Sequence, residues 1–268
     1  MRNGESVWHR VEELPEYNDV VLASLSDGRC ILAVSTEDGV ERWNALTGEP
    51  LNGIEPEGYT VWGLAAGHLP DGRTVLVGAG NNHTVHRWDA ATGDPLGPPL
   101  RGHHTTVLSV GLVHLSASSV VIVSGDDSGF LRRWDAVTGD PIGDPVAGHA
   151  AQVNIIAPLA SNGGRKLFAS SDAKGEICWW DATTGEQLGG PFTTGAEVYA
   201  LATACPGGTP LLLAAGANQQ TGAWNVITGE QVGLSLRGVS VAALDQPDGT
   251  TLVATGTQGE VIVYSLSE

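Results

Sequence analysis

The chain has 268 residues, of which 41% are hydrophobic and 37 are glycine. The hydrophobic share excludes a disordered chain, and the glycine share predicts many tight turns and excludes a helical bundle. Thirteen Lys and Arg stand against 30 Asp and Glu, which gives a formal net charge of −17. Because this charge repels phosphate groups, we expect no nucleic-acid partner and no membrane partner.

The cysteines and the apolar segments indicate a cytoplasmic protein. Cys30, Cys178 and Cys205 are an odd number, and their spacing matches no metal motif. The first residues lack the apolar stretch of a signal peptide, and no run of about 18 apolar residues predicts a membrane span. We therefore expect a soluble monomer that holds neither a metal ion nor another cofactor.

A nine-residue pattern recurs along the chain and predicts a repeat protein. It reads Trp-[Asp/Asn]-x-x-Thr-Gly-[Asp/Glu]-[Pro/Gln]-[Leu/Ile/Val]. Its five copies occupy residues 43–51, 88–96, 134–142, 180–188 and 224–232. An eroded sixth copy follows at Tyr264, so the anchor residues lie 45, 46, 46, 44 and 40 positions apart.

Each repeat unit predicts four short strands. Aliphatic runs such as residues 120–123, 211–214 and 251–254 precede the anchors and are typical of buried strands. The tryptophan lies in the next strand, Thr-Gly closes a hairpin, and the Pro-Leu stretch begins the fourth strand. Four strands in about 45 residues are the length of one propeller blade.

The repeats resemble the WD-repeat β-propeller family, in the degenerate form seen in bacteria. The residues that carry this resemblance are the Trp-Asp pairs at 88–89, 134–135 and 180–181, the Trp-Asn pairs at 43–44 and 224–225, and the Gly-His pairs at 102–103 and 148–149. The resemblance implies an all-β fold: a single six-bladed propeller of four-stranded antiparallel blades. The repeat units are residues 15–58, 59–103, 104–149, 150–195, 196–238 and 239–268. An N-terminal strand, residues 5–14, is expected to complete the last blade and close the ring.

The chain departs from the family at the residues that bind one another within a blade. In the family a His, a Ser or Thr, an Asp and the Trp form one hydrogen-bonded set. Six residues before the Trp, where the Asp is sought, stand Asn82, Ser128, Lys174 and Asn218. We therefore expect no blade to contain the full set, although His103 and His149 are expected to be structural hydrogen-bonding residues.

The candidate binding residues lie where the first strand of each blade begins. These strands are predicted to start near Val20, Val61, Val107, Val153, Val198 and Val241, and the flanking residues vary from blade to blade. The resemblance places them at the mouth of the central channel. The candidates are Trp62, Tyr199, Asn154, Gln152, Glu197, His104, Thr106 and Leu108. As an alternative, Trp62 and Tyr199 fill space between blades.

Arg42, Arg87 and Arg133 each precede the repeat tryptophan directly. They could line a rim that binds a carboxylate or phosphate. The favoured alternative is that their stems pack in the blade and each guanidinium pairs with a carboxylate of the repeat.

The chain contains no catalytic motif, and its Ser-x-x-Lys match at residues 171–174 lies in a predicted turn rather than a helix. These observations favour a scaffold that binds a peptide or protein partner on the channel-mouth face. The alternative is a small-molecule-binding or enzymatic propeller with scattered site residues at the same mouth.

Overall fold

The computed structural model describes residues 17–162, 164–246, 249–257 and 260–267, which form 23 strands in six antiparallel sheets. Each sheet takes its strands from one continuous stretch of chain, in chain order. The expectation of an all-β fold with about four strands per sheet is confirmed, and the arrangement is consistent with a six-bladed propeller. Within the described residues, no helix is long and apolar enough to cross a membrane.

The first three sheets have four strands each. Sheet 1 contains β1 (Tyr17–Ser24), β2 (Cys30–Thr36), β3 (Val40–Asn44) and β4 (Pro50–Ile54). Sheet 2 contains β5 (Val61–His68), β6 (Thr74–Gly80), β7 (Thr84–Asp89) and β8 (Leu100–Arg101). Sheet 3 contains β9 (Val107–Ser116), β10 (Ser119–Asp126), β11 (Phe130–Asp135) and β12 (Val146–Ala147).

Sheets 4 and 5 repeat this plan. Sheet 4 contains β13 (Val153–Asn162), β14 (Arg165–Asp172), β15 (Glu176–Asp181) and β16 (Gln187–Thr193). Sheet 5 contains β17 (Val198–Ala204), β18 (Leu211–Gly216), β19 (Gln220–Asn225) and β20 (Gln231–Arg237), with a 3₁₀ turn, Pro206–Gly208, between its first two strands. In sheet 6 the described residues form β21 (Ser240–Asp245), β22 (Thr251–Thr257) and β23 (Glu260–Leu266).

The strand expected to complete sheet 6, residues 5–14, lies outside the described residues. The inner strands β1, β5, β9, β13, β17 and β21 pack against one another in chain order. Five clusters of buried side chains fill the spaces between successive sheets, from sheet 1 to sheet 6. In sheets 2 to 5 the second strand is therefore buried on both faces over most of its length, because both faces contact a neighbouring sheet.

Sheet 3 contains the complete hydrogen-bonded set. His103 places Nδ1 2.7 Å from Asp126 Oδ2 and Nε2 2.7 Å from Ser124 Oγ, and Trp134 Nε1 donates to the same Ser124 oxygen at 2.9 Å. The expectation that no blade contains the set was wrong. The aspartate lies eight residues before the tryptophan, at the end of β10, and not six residues before it.

Sheet 2 replaces this set with a stack of rings. His86 lies between Tyr59, at a centroid distance of 4.2 Å, and Trp88, at 5.5 Å. Its two nitrogens lie 2.9 Å from the Tyr59 hydroxyl and 2.7 Å from the Thr84 hydroxyl. Burial, and to a smaller extent the positive charge of nearby Arg101, lowers the pKa of His86 to about 4. The histidine is therefore neutral in the folded protein at pH 7.

The Arg residues before the repeat tryptophan connect neighbouring sheets. Arg133 donates to the carbonyl oxygens of Ala182, Thr183 and Thr184, which form the turn after Trp180 in the following sheet. Arg87 contacts the corresponding three carbonyls of sheet 3, and Arg42 contacts two of those of sheet 2. All three side chains are buried. The expected packing of the stems is correct, but the predicted carboxylate partner is wrong. The acceptors are backbone carbonyls of the next repeat and, for Arg42, also the Asn52 carbonyl of its own repeat.

We predict that protonation of His86 makes stability depend on pH. The unfolded histidine titrates near its ordinary value of about 6.5, whereas the folded one stays neutral down to about 4. Its contribution is therefore present above about pH 6.5 and is lost as the pH falls through 4, by up to about 3 kcal/mol. Urea unfolding of wild type and His86→Phe at several pH values measures this. Equal slopes between pH 6.5 and 4 would contradict the prediction.

We also predict that Arg133→Met destabilises the protein by about 2–4 kcal/mol, because three carbonyls of the next sheet lose a donor that is itself buried. The control is Arg165→Met, since Arg165 is exposed at the start of β14. The measurement is the free energy of unfolding in guanidinium chloride. Equal stabilities of the two variants would show that the contact between sheets contributes little.

Candidate functional site

Five of the six inner strands contain a one-residue β-bulge near their first residue. In each, the pairing with the second strand skips one position. The residues skipped, called here the bulged residues, are Asn18, Trp62, Leu108, Asn154 and Tyr199. A bulge interrupts the ladder and turns a side chain away from its regular direction. Strand β21 pairs without such a shift over its described length.

All five bulged residues line one cavity of about 360 Å³, which we call the mouth cavity. Five different sheets thus contribute to a single concave surface. Trp62 and Tyr199 are 42% and 54% exposed. The alternative in which these two rings fill space between blades does not describe the structure. The other lining residues are Asp19, Gly63, Leu64, Ser109, Val110, Ile155, Ile156, Ala200 and Leu201.

The predicted mouth position was wrong in the first repeat. In the sequence, Val20 aligns with the valines that open the other inner strands, and this alignment predicts that the residue after Val20 lies at the mouth. The structure places Asn18 there instead. A better signal was available: the bulged residue precedes the anchor tryptophan by 25 or 26 positions in all five sheets.

The eight candidate residues fall into three groups. Trp62, Leu108, Asn154 and Tyr199 line the mouth cavity. Gln152 and Glu197 lie beside it and hold Asn154: Gln152 Nε2 donates to Asn154 Oδ1, and Asn154 Nδ2 donates to Glu197 Oε1, each at 3.1 Å.

The other two candidates are not among the lining residues of the mouth cavity. His104 lines a separate cavity of about 290 Å³ together with Phe130 and Arg132. Thr106 immediately precedes strand β9, and its carbonyl accepts a hydrogen bond from the Asp127 amide.

Asp19 is the acidic residue of the cavity that the sequence analysis did not select. Its Oδ2 accepts a hydrogen bond from the Leu64 amide and its Oδ1 accepts one from the Val20 amide, both at 2.8 Å. Burial raises the pKa of Asp19, and the two hydrogen bonds oppose this by stabilising the carboxylate. Together with Glu197 next to the cavity, Asp19 makes this surface acidic, since none of the described lining residues is Lys or Arg.

The lining residues of the cavity supply mainly aromatic, aliphatic, amide and carboxylate groups. Ser109 is its one lining residue with a hydroxyl besides Tyr199, and Ser109 Oγ already donates to the Val153 carbonyl at 2.9 Å. No histidine, cysteine or lysine is among the described lining residues. The cavity therefore offers two aromatic faces, two side-chain amides and a carboxylate.

Comparison with known proteins identifies the type of repeat. The sequence profile of the family described as outer membrane protein assembly factor BamB matches residues 132–268, slightly more than half of the chain. The chain belongs to this BamB-type β-propeller repeat family. No curated protein matches the chain. The match supports a β-propeller repeat protein and does not by itself select WD repeats.

A solved structure shows the same fold as this BamB-type chain. It is the crystal structure of the computationally designed Ika8 protein, in crystal packing No. 1 in P63. The TM-score is 0.66, with 21% identity over 88% of this chain and 68% of the designed one. At this identity the likeness concerns the fold alone.

Proposed function

We propose that the protein is an interaction module that binds a peptide or protein partner in the mouth cavity. The observation that carries this proposal is the convergence of all five bulged residues on one concave surface. Rigid aromatic side chains flanked by polar groups are the residues that dominate binding energy in protein interfaces. Trp62 and Tyr199 supply the aromatic part, and Asn18 and Asn154 supply hydrogen-bonding groups.

The charge of the cavity indicates a cationic partner segment. Asp19 lies in the cavity and Glu197 beside it, and the whole chain has a net charge of −17. A lysine or arginine of the partner can lie over the face of Trp62 or Tyr199 while it faces these carboxylates. The net charge also speeds the encounter with a basic partner and repels acidic ones.

A small-molecule ligand is the second candidate, and the cavity volume favours it. About 360 Å³ is within the range of small-ligand pockets, which is roughly 300–1,000 Å³. Against this, the Gln152–Asn154–Glu197 chain already uses several polar groups of the site for contacts within the protein.

We further propose WD-type blades and a closed six-bladed ring. The complete set of His103, Ser124, Asp126 and Trp134 supports the first part, because it is the hydrogen-bonded set of the WD family. Ring closure is supported by strand β23, where Val261 and Val263 are 74% and 60% exposed. These two side chains lie on one face of sheet 6, and in a closed ring a neighbouring sheet would cover that face.

We propose the cytoplasm as the location, and the three free cysteines support it. The words "outer membrane protein assembly factor" describe the matched family and do not set the location of this protein.

The ring closure predicts the effect of a deletion. Removing residues 5–14 should lower the melting temperature by several degrees, because sheet 6 would lose its proposed fourth strand. Circular dichroism measures this, with Val137→Ala, an exposed change in a turn, as the control. An unchanged melting temperature would contradict closure by this segment.

The binding proposal predicts selective capture of cationic peptides. Fluorescence anisotropy with labelled lysine- and arginine-rich peptides and with glutamate-rich peptides should show binding of the first set only. The double variant Trp62→Ala/Tyr199→Ala should weaken this binding at least about tenfold, since each aromatic anchor contributes about 1–2 kcal/mol. Phe130→Ala is the control, because Phe130 is 40% exposed but lines the other cavity.

Both variants should keep most of the stability of the wild type, because the three rings are partly exposed. Equal peptide affinities of the double variant and Phe130→Ala would contradict the proposal. A metabolite that binds wild type but not the double variant, with no peptide doing so, would select the small-molecule alternative.

A further inference from the structure

Sheet 4 has the same four residue types as the hydrogen-bonded set of sheet 3, but its histidine and aspartate are further apart. In sheet 3 the His103–Asp126 pair is closed at 2.7 Å. In sheet 4 the matching atoms, His149 Nδ1 and Asp172 Oδ2, are 3.8 Å apart, which is too long for a hydrogen bond. Both side chains are 0% exposed, and both atoms lack a hydrogen-bond partner. Two buried polar atoms that face each other without a partner are costly, so something that binds both is expected between them.

A third ligand group is present in sheet 4 and absent from sheet 3. The backbone amide of Glu176 donates to Asp172 Oδ1 at 2.9 Å, as the amide of Phe130 does to Asp126 Oδ1 at 2.9 Å. The two residues therefore occupy the same position, and sheet 4 has a carboxylate where sheet 3 has an aromatic ring. A carboxylate oxygen of Glu176, His149 Nδ1 and an oxygen of Asp172 all lie within 4.8 Å of one another. Among the described residues, no other three such groups meet this closely.

We propose that His149, Asp172 and Glu176 bind a divalent metal ion, for which zinc is the best match. Zinc accepts imidazole nitrogen and carboxylate oxygen at about 2.0–2.2 Å, so two ligands of a tetrahedral ion lie about 3.3–3.5 Å apart. The 3.8 Å gap needs only a small contraction to reach this distance. Two carboxylates and a neutral imidazole balance the charge of the ion, and a water molecule completes the four ligands.

The rest of the set orients the proposed ligand. His149 Nε2 lies 2.6 Å from Ser170 Oγ, which also accepts a hydrogen bond from Trp180 Nε1 at 2.8 Å. With its proton on Nε2 and donated to Ser170, the imidazole directs the Nδ1 lone pair toward Asp172. This is the arrangement in which a second hydrogen bond fixes the tautomer of a metal-binding histidine.

Zinc titration of the intact protein tests the proposal. Equilibrium dialysis against ZnCl₂ after EDTA treatment, with elemental analysis, should give one high-affinity zinc ion per chain. Zinc should also raise the melting temperature of wild type. Glu176→Gln should weaken the binding at least about tenfold. It should leave the metal-free melting temperature unchanged, because Glu176 contributes no side chain to the Ser170 and Trp180 contacts.

Glu186→Gln is the matched control, since it removes the same charge at an exposed position after the turn of the same sheet. It should bind zinc as wild type does. Glu176→Phe, which copies sheet 3, should lose both the zinc and its effect on melting while the protein remains folded. The proposal is overturned if wild type binds no zinc at micromolar concentrations, or if Glu176→Gln binds it as tightly as Glu186→Gln.

Discussion

The structure depends on how each sheet is held against the next one. A buried guanidinium does this at each of the three junctions from sheet 1 to sheet 4. The side chains are Arg42, Arg87 and Arg133, and each donates to carbonyl oxygens 48 to 51 positions further along the chain. A buried cation needs hydrogen-bond acceptors, and a turn with several free carbonyls supplies them to most of these donors without a carboxylate; Arg87 Nε has no hydrogen-bond partner. The Trp-[Asp/Asn]-x-x-Thr-Gly turn recurs in the first five repeats, even where the outer strand has only two residues, in β8 and β12. In sheet 4 Trp179 stands in this position and packs near Gly229 of the next turn.

These fixed junctions separate the scaffold from the residues of the proposed binding surface. The inner strands approach closely, and a Cβ on Gly63 would lie 2.6 Å from the Leu108 carbonyl oxygen. Such contacts leave little freedom for the backbone, so the bulge recurs at the same position, near the start of the inner strand, in five sheets. Two of the bulged side chains donate a hydrogen bond to the next sheet, Asn18 to the Val61 carbonyl and Asn154 to Glu197. The five side chains nevertheless differ from sheet to sheet. An asparagine, a tryptophan, a leucine, a second asparagine and a tyrosine share one geometric position, which is the pattern expected of a binding surface on a rigid support.

The repeat made the sheets predictable, because aligning its copies shows the same strands and turns at the same positions in each one. Trp62, Leu108, Asn154 and Tyr199 were found because a valine marks the strand start in their repeats. Asn18 was not predicted because Val20 is the valine of the first repeat that fits the pattern, although it lies two residues after the bulge and not directly before it. Asp126 was not predicted because the aspartate was expected six residues before the tryptophan, whereas the end of β10 places it eight residues before Trp134. The proposed zinc ligands gave no signal, since His149 lies 23 residues from Asp172 and only the pairing of strands brings them together.

The central claim is that the bulged residues form the surface that contacts a partner. The most direct measurement is ¹⁹F NMR of the protein labelled with 5-fluorotryptophan, with the Trp62 signal assigned through Trp62→Phe. Trp62 is 42% exposed, whereas Trp134 and Trp180 are almost fully buried. On titration with a lysine- and arginine-rich peptide, the account predicts that the Trp62 signal shifts and saturates while the signals of Trp134 and Trp180 stay in place. A Trp62 signal that does not move while the peptide is bound would contradict the account.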